Sequence, residues 1–142
     1  MKSVKQLLGG KVRSLCTVGP DARVFDALKL MAEKNIGALP VVENDKLVGI
    51  VSERDYARKV VLLGKSSHET PVKEIMTERP ICVQLKNTTE ECMALMTDKH
   101  IRHLPVIENG ELLGILSIGD LVKETISDQQ FMIKQLESYI HS

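Results

Sequence analysis

Two short segments carry residues whose types and spacing could act together. Gly49-Ile50-Val51-Ser52-Glu53-Arg54-Asp55 and Gly114-Ile115-Leu116-Ser117-Ile118-Gly119-Asp120 each run from an apolar stretch into a segment of helical character. A helix start presents unpaired N–H groups and a partial positive charge, which suits phosphate. Ser52 and Ser117 add a hydroxyl donor there. Asp55 and Asp120, one turn in, can accept hydrogen bonds from both hydroxyls of a ribose, as an acidic residue does in dinucleotide folds. Such charge-assisted bonds contribute roughly 1.5–3 kcal/mol each. The same residues also suit plain helix capping, serine as the cap and aspartate near the positive end of the dipole. For one segment alone the two readings stand level.

The duplication is wider than these segments. Residues 35–59 align without gaps on residues 100–124, an offset of 65, with 11 of 25 positions identical. The identities include Leu39-Pro40-Val41 with Leu104-Pro105-Val106, and Glu43-Asn44 with Glu108-Asn109. A shorter echo pairs Val4–Leu8 with Val72–Met76 at each entrance. The division this predicts is residues 1–67, a first repeat with a lead-in helix, and residues 68–142, a second repeat with a C-terminal helix. The polar stretch 64–71, GKSSHETP, serves as linker.

Each repeat reads as strand, helix, strand, strand, helix. In the second, Ile81–Val83 is a short apolar strand and Thr88 with Glu91 forms a capping box that opens a helix. Cys92, Leu95 and Met96 share a face of that helix. Leu104–Ile107 and Leu112–Leu116 pair across Asn109-Gly110, a turn whose residues tolerate positive φ. In the first repeat Asn44-Asp45 takes the turn. Arg23 stands where Thr88 would be, so Asp21 is the expected cap there, and Thr70-Pro71 is expected to cap the helix that opens the second repeat. The tail from Gln129 to Ile140 sets Met132, Ile133, Leu136 and Ile140 on one helical face, for packing on the body or on a second copy.

Composition narrows the class. The 19 basic side chains balance 19 acidic ones, and two Tyr, two Phe and no Trp give no stacking platform, which argues against nucleic acid. No apolar run approaches the ~20 residues of a membrane span, and the start lacks an export signal, so the cytoplasm is expected. Cys16, Cys82 and Cys92 lack Cys-x-x-Cys spacing and read as small apolar core residues. Gly64-Lys65-Ser66 lacks the glycine and the strand a P-loop requires. His100 and His103 fall at a strand entry, where residues three apart point to opposite faces, so no metal site is expected. Asn87-x-Thr89 reads as a helix start rather than a glycosylation site.

The strand with Pro-Val, the Asn-Asp or Asn-Gly turn and Gly-apolar-apolar-Ser-x-x-Asp, all present twice, resemble the CBS-domain family over roughly residues 3–125. The phrases GIVSERD and IRHLPV look most like its small bacterial two-repeat proteins. The resemblance implies an α+β fold: tandem βαββα repeats related by a pseudo-two-fold, with flanking N- and C-terminal helices, and a homodimer. It also implies AMP, ATP, NAD(H) or S-adenosylmethionine held between the repeats. The adenine would lie beside the first hairpin strand, at Gly37, Ala38 and Pro40 or at Arg102, His103 and Pro105. Thr17 and Cys82 would stand at the preceding strand ends. The ribose and phosphate would fall to Ser52, Arg54 and Asp55 or to Ser117 and Asp120. Arg54 opposite Gly119, and Gly37-Ala38 opposite Arg102-His103, predict two unlike sites. The function implied is a regulatory sensor without catalysis, read by a protein target. The alternatives are an interaction protein with degenerate sites that grips a partner through the C-terminal helix, and an enzyme acting on a nucleotide or thiol.

Overall fold

The computed structural model describes residues 2–9 and 15–141. In chain order these form α1 (Val4–Leu8), α2 (Val24–Lys34), β1 (Ala38–Glu43), β2 (Lys46–Ser52) and α3 (Glu53–Tyr56). A π-helical stretch, Ala57–Val61, extends α3, and a 3-10 turn occupies Val72–Glu74. Then follow β3 (Thr77–Glu78), α4 (Thr89–Lys99), β4 (His103–Glu108), β5 (Glu111–Ser117) and α5 (Ile118–His141). The architecture is the α+β tandem the repeat implied. Among the described residues no helix is long and apolar enough to cross a membrane.

The two hairpins are near copies. β1 pairs with β2 and β4 with β5, both antiparallel, and each register slips by one step, at Val41/Val42 and at Val106/Ile107. Asn44 and Asp45 take φ of 52° and 61°, Asn109 and Gly110 take 52° and 78°, so both turns have the positive dihedrals the sequence called for. The strand expected at Ile81–Val83 reduces to one bridging residue: Val83 pairs in parallel with Val106, as Val18 does with Val41. Three residues bounded by Pro80 and a turn leave no room for a longer ladder.

Helix starts follow local chemistry where it exists. Thr88 caps α4 and exchanges bonds with Glu91 as a full capping box. α2 has no side-chain cap, and Asp21 does not supply one, because its carboxylate is held by Lys73 Nζ at 2.9 Å. Instead the linker covers the start of α2: Val24 and Phe25 N–H donate to the Thr70 and Ser67 carbonyls. Thr70-Pro71 likewise provides no side-chain cap. Thr70 Oγ1 donates to the Ser66 carbonyl at 2.7 Å, and a 3-10 turn follows Pro71 in place of an α-helix.

Among the described residues two apolar clusters form the core, and they exchange their entrances. Val72 and Ile75, from the second repeat by sequence, are buried with Val24, Met31, Leu39, Val41 and Val51. Val4, from the first, is buried with Val83, Met96, Leu104, Val106 and Leu121. Backbone bonds fix the exchange: Val72 N–H to the Ala22 carbonyl, Val4 N–H to the Asn87 carbonyl, Thr89 N–H to the Lys2 carbonyl. The expected division at 67/68 is therefore one of sequence similarity, whereas packing joins α1 to the second hairpin and the segment 70–78 to the first. At Gly49 the exchanged segment comes so close that a Cβ would lie 2.9 Å from the Thr77 carbonyl oxygen. Gly114, its counterpart, has only Leu8 nearby, at 3.4 Å. Of the cysteines, Cys92 is buried, Cys16 half-buried and Cys82 exposed, so the core reading holds for Cys92 and in part for Cys16, but not for Cys82. Cys82 sits just after Pro80, outside the bridge that Val83 makes.

Candidate functional site

Each hairpin ends by feeding its last strand directly into a helix, with serine as the hinge. Ser52 Oγ accepts from Asp55 N–H at 3.2 Å, and Asp55 Oδ2 accepts from Ser52 N–H at 3.0 Å. Ser117 and Asp120 repeat this at 3.1 and 2.9 Å. The capping role is therefore real at both junctions, and it consumes one oxygen of each aspartate. The first amide of each helix is also spent: Glu53 N–H donates to the Gly37 carbonyl and Ile118 N–H to the Arg102 carbonyl. Among the described residues, of the first three amides of α5 that leaves Gly119 N–H for an anion.

The junctions part ways at the second carboxylate oxygen. Asp55 Oδ1 lies 3.3 Å from Lys59 Nζ, which also donates to the Ile75 carbonyl at 2.9 Å. Lys59 thus ties the first junction to the exchanged entrance segment. The equivalent of Lys59 in the second repeat is Glu124, an acid that pairs with Lys2 Nζ at 2.6 Å. Among the described residues no cation pairs with Asp120.

Asp120 opens on a cavity of about 820 Å³, within the usual range for a small-molecule site. Its wall joins both repeats: Gly37, Ala38 and Pro40 from the first face His103, Ser117 and Asp120 from the second. Gly119 forms part of the wall, where a larger residue would narrow it. Burial holds His103 below the ordinary histidine value, Asp120 pulls it back up, Arg102 pushes it down and Glu53 raises it. The imidazole lies close to Gly37, where a Cβ would meet its Nε2 at 3.7 Å.

Six of the residues singled out from the sequence meet here: Gly37, Ala38, Pro40, His103, Ser117 and Asp120. The others do not line this cavity. Arg54 and Arg102 are exposed on the surface, and Asp55 is engaged by Lys59. Thr17 is exposed while its neighbour Cys16 lines the wall. Val18 makes the bridge to β1, and along an extended segment Cys16 and Val18 face one way and Thr17 the other. Cys82 Sγ donates to the Pro80 carbonyl at 3.3 Å, and the Pro105 carbonyl is taken by Val83 N–H. A second cavity of about 400 Å³ adjoins Gly37 and is bordered by Leu28, Met31, Asn35 and Glu53, with neither Asp55 nor Arg54 in its wall.

The sequence reading missed Cys16, Lys34, Asn35, Lys123 and Glu124 in the wall of the larger cavity. Lys123 was accessible, since it stands three residues after Asp120 on one helix face. Lys34 and Asn35 end α2, Asn35 at φ 54°, and no local signal directs them to the other repeat. Among the described residues no group of three or more His, Cys, Asp or Glu could hold a metal. Burial pushes the Cys92 thiol up, with Glu91 adding to the effect, away from thiolate chemistry.

Comparison with known proteins bears on this site. The family model described as CBS domain matches residues 10–62 and 72–127. The chain is 42% identical over 130 residues to the mitochondrial CBS domain-containing protein CBSX3 of Arabidopsis thaliana, covering 88% of this chain and 62% of that one. It is 33% identical to the CBS domain-containing protein YhcV of Bacillus subtilis, covering 91% and 89%. A solved CBS-domain protein from Burkholderia ambifaria superposes with a TM-score of 0.86 at 54% identity, over 90% of this chain and 96% of that one. CBSX2, solved in complex with AMP, superposes with a TM-score of 0.74 at 28% identity, over 91% and 99%.

Proposed function

This chain belongs to the CBS-domain family, and from that premise we propose that it is a regulatory sensor that binds an adenine nucleotide between its repeats and performs no catalysis. The observation that carries the reading is the cavity itself. It gathers a carboxylate with a spare oxygen, a helix start and an apolar strand from opposite repeats.

The chemistry divides along the wall. Asp120 Oδ1 takes the ribose hydroxyls while Oδ2 stays in the cap. Gly119 N–H and the ammonium groups of Lys123 and Lys34 attract the phosphate. Ala38, Pro40 and Cys16 offer the adenine an apolar slot. His103, kept neutral by burial, adds a hydrogen-bonding group. The AMP complex of CBSX2 supports this assignment by analogy. The first junction, closed by Lys59, is the weaker or unused site. Ligand that favours one arrangement of the two repeats shifts that equilibrium, and a protein target reads it. The module is assigned to the cytoplasm and to a homodimer.

Thermal melting with AMP, ADP, ATP, NAD, NADH and S-adenosylmethionine tests the reading. A ligand at ~100 times its dissociation constant stabilises the chain by roughly 2.7 kcal/mol per site. At least one of the six is expected to raise the melting temperature. Unchanged melting with all six, on protein freed of carried-over nucleotide, rejects it.

A further inference from the structure

α5 leaves the body as a bare helix. Every residue from Ile126 to His141 is exposed, and Leu121 is the one buried residue of the helix. A segment of this length without tertiary cover is marginal in water. Its sequence nevertheless carries a regular apolar seam. Val122, Ile126, Ile133, Leu136 and Ile140 follow alternating steps of four and three, with Gln129 as the polar step among them. These five apolar residues are 43 to 72% exposed.

We propose that this seam pairs with the same seam of a second copy as a short antiparallel coiled coil. Placing Ile126, Ile133 and Ile140 at the a positions puts Val122, Gln129 and Leu136 at d and Lys123, Gln130 and Glu137 at the flanking e positions. In the antiparallel register Ile126 faces the partner's Leu136 and Val122 faces the partner's Ile140. Lys123 then falls beside the partner's Glu137, the reverse pair forms by symmetry, and Gln130 meets the partner's Gln130 on the two-fold axis. On the other flank Met132 meets the partner's Met132. The surface is thus complementary to itself in charge and in apolar pattern, as an isologous contact demands. The parallel arrangement matches no charge: Glu137 would meet the partner's Met132, and Lys123 the partner's Ile118. Because Lys123 also lines the cavity, the partner's Glu137 stands at its rim.

Sedimentation of the full chain without nucleotide is the first test. The native chain assembles, and Ile133→Asp with Leu136→Asp returns it to monomer, with a melting curve that shows the body still folded. Glu137→Lys weakens the assembly by roughly fivefold, and adding Lys123→Glu restores it. Orientation is read on a Cys82→Ser background, where Val122→Cys mixed with Ile140→Cys gives a crosslinked pair. A monomeric native chain, or assembly unchanged by the double aspartate variant, overturns the proposal. So does ready self-crosslinking of Ile140→Cys alone, which requires the parallel arrangement.

Discussion

The two strand-to-helix junctions share a serine–aspartate cap and part ways chiefly at the second oxygen of the aspartate. At both, serine caps the helix and aspartate returns the bond, with distances agreeing to about 0.1 Å. At the first, Lys59 takes the remaining aspartate oxygen and the Ile75 carbonyl. At the second, glutamate replaces that lysine and pairs with Lys2, leaving Asp120 to face the cavity. A duplicated motif thus does not give two equivalent sites. What decides is the residue one turn later, which either neutralises the carboxylate within the chain or leaves it for a ligand.

The comparison can be broken most forcefully at the aspartates. Asp120→Ala is expected to weaken AMP binding by about a hundredfold, the loss of charge-assisted bonds to ribose, while Asp55→Ala leaves that affinity within about twofold. Titration calorimetry on both variants decides. Equal losses would make the junctions equivalent and the Lys59 contact irrelevant.

A smaller effect separates the two helix starts. Thr88→Ala removes the capping box of α4 and should cost about 1 kcal/mol in chemical denaturation. Arg23→Ser, at the start of α2 that lacks a side-chain cap, exchanges the exposed Arg23–Asp26 ion pair for a capping hydroxyl, so the net change should stay within a few tenths of a kcal/mol. A cost of about 1 kcal/mol at both positions would show that the Arg23–Asp26 pair stands in for a cap on α2.

Lys59→Met sharpens the contrast at the first junction. The methionine keeps the apolar stem and frees Asp55. Stability should fall by no more than about 1 kcal/mol, since Lys59 is itself 44% exposed. Calorimetry should then show a second, weaker binding event absent from the native chain. An unchanged stoichiometry would assign the closure to β3 packed over Gly49 instead.

The smallest effect is in pH. His103 is held below its ordinary value of 6.5, first by burial, so the unfolded chain binds its proton more readily than the folded one. The linkage gives full stability above 6.5, with a loss as pH falls through 6.5 towards the lower folded value. Melting temperatures without nucleotide, measured from neutral pH downwards, should show this decline. His103→Gln should flatten it. A variant with the same slope would place the titrating group elsewhere.

What could be read from the sequence was what is local. Thr88 and Glu91 find each other three residues apart, Asn109-Gly110 dictates its own turn, and Ser117 and Asp120 close on one another whatever surrounds them. Positions set by distant chain escaped. Asp21 was expected over α2, and Lys73, 52 residues on, holds it instead. Gly37, Ala38 and Pro40 were grouped with Ser52 and Asp55 by repeat, yet they line the cavity of Ser117 and Asp120. The alignment marks equivalent residues, and nothing in it records that two pseudo-symmetric halves facing each other form a site from opposite members. Thr17 lost its place to Cys16 by one step of alternation along an extended segment.

The crossed entrances have a consequence for how this molecule could be divided. Each half lends the other a stretch that completes its interior, Val4 in one direction and Val72 with Ile75 in the other. A fragment cut at the linker would carry a plug for a socket it no longer has, and a socket with no plug. Neither half thus closes its own interior when cut there. Two severed pieces mixed together would have to trade these stretches to close both interiors.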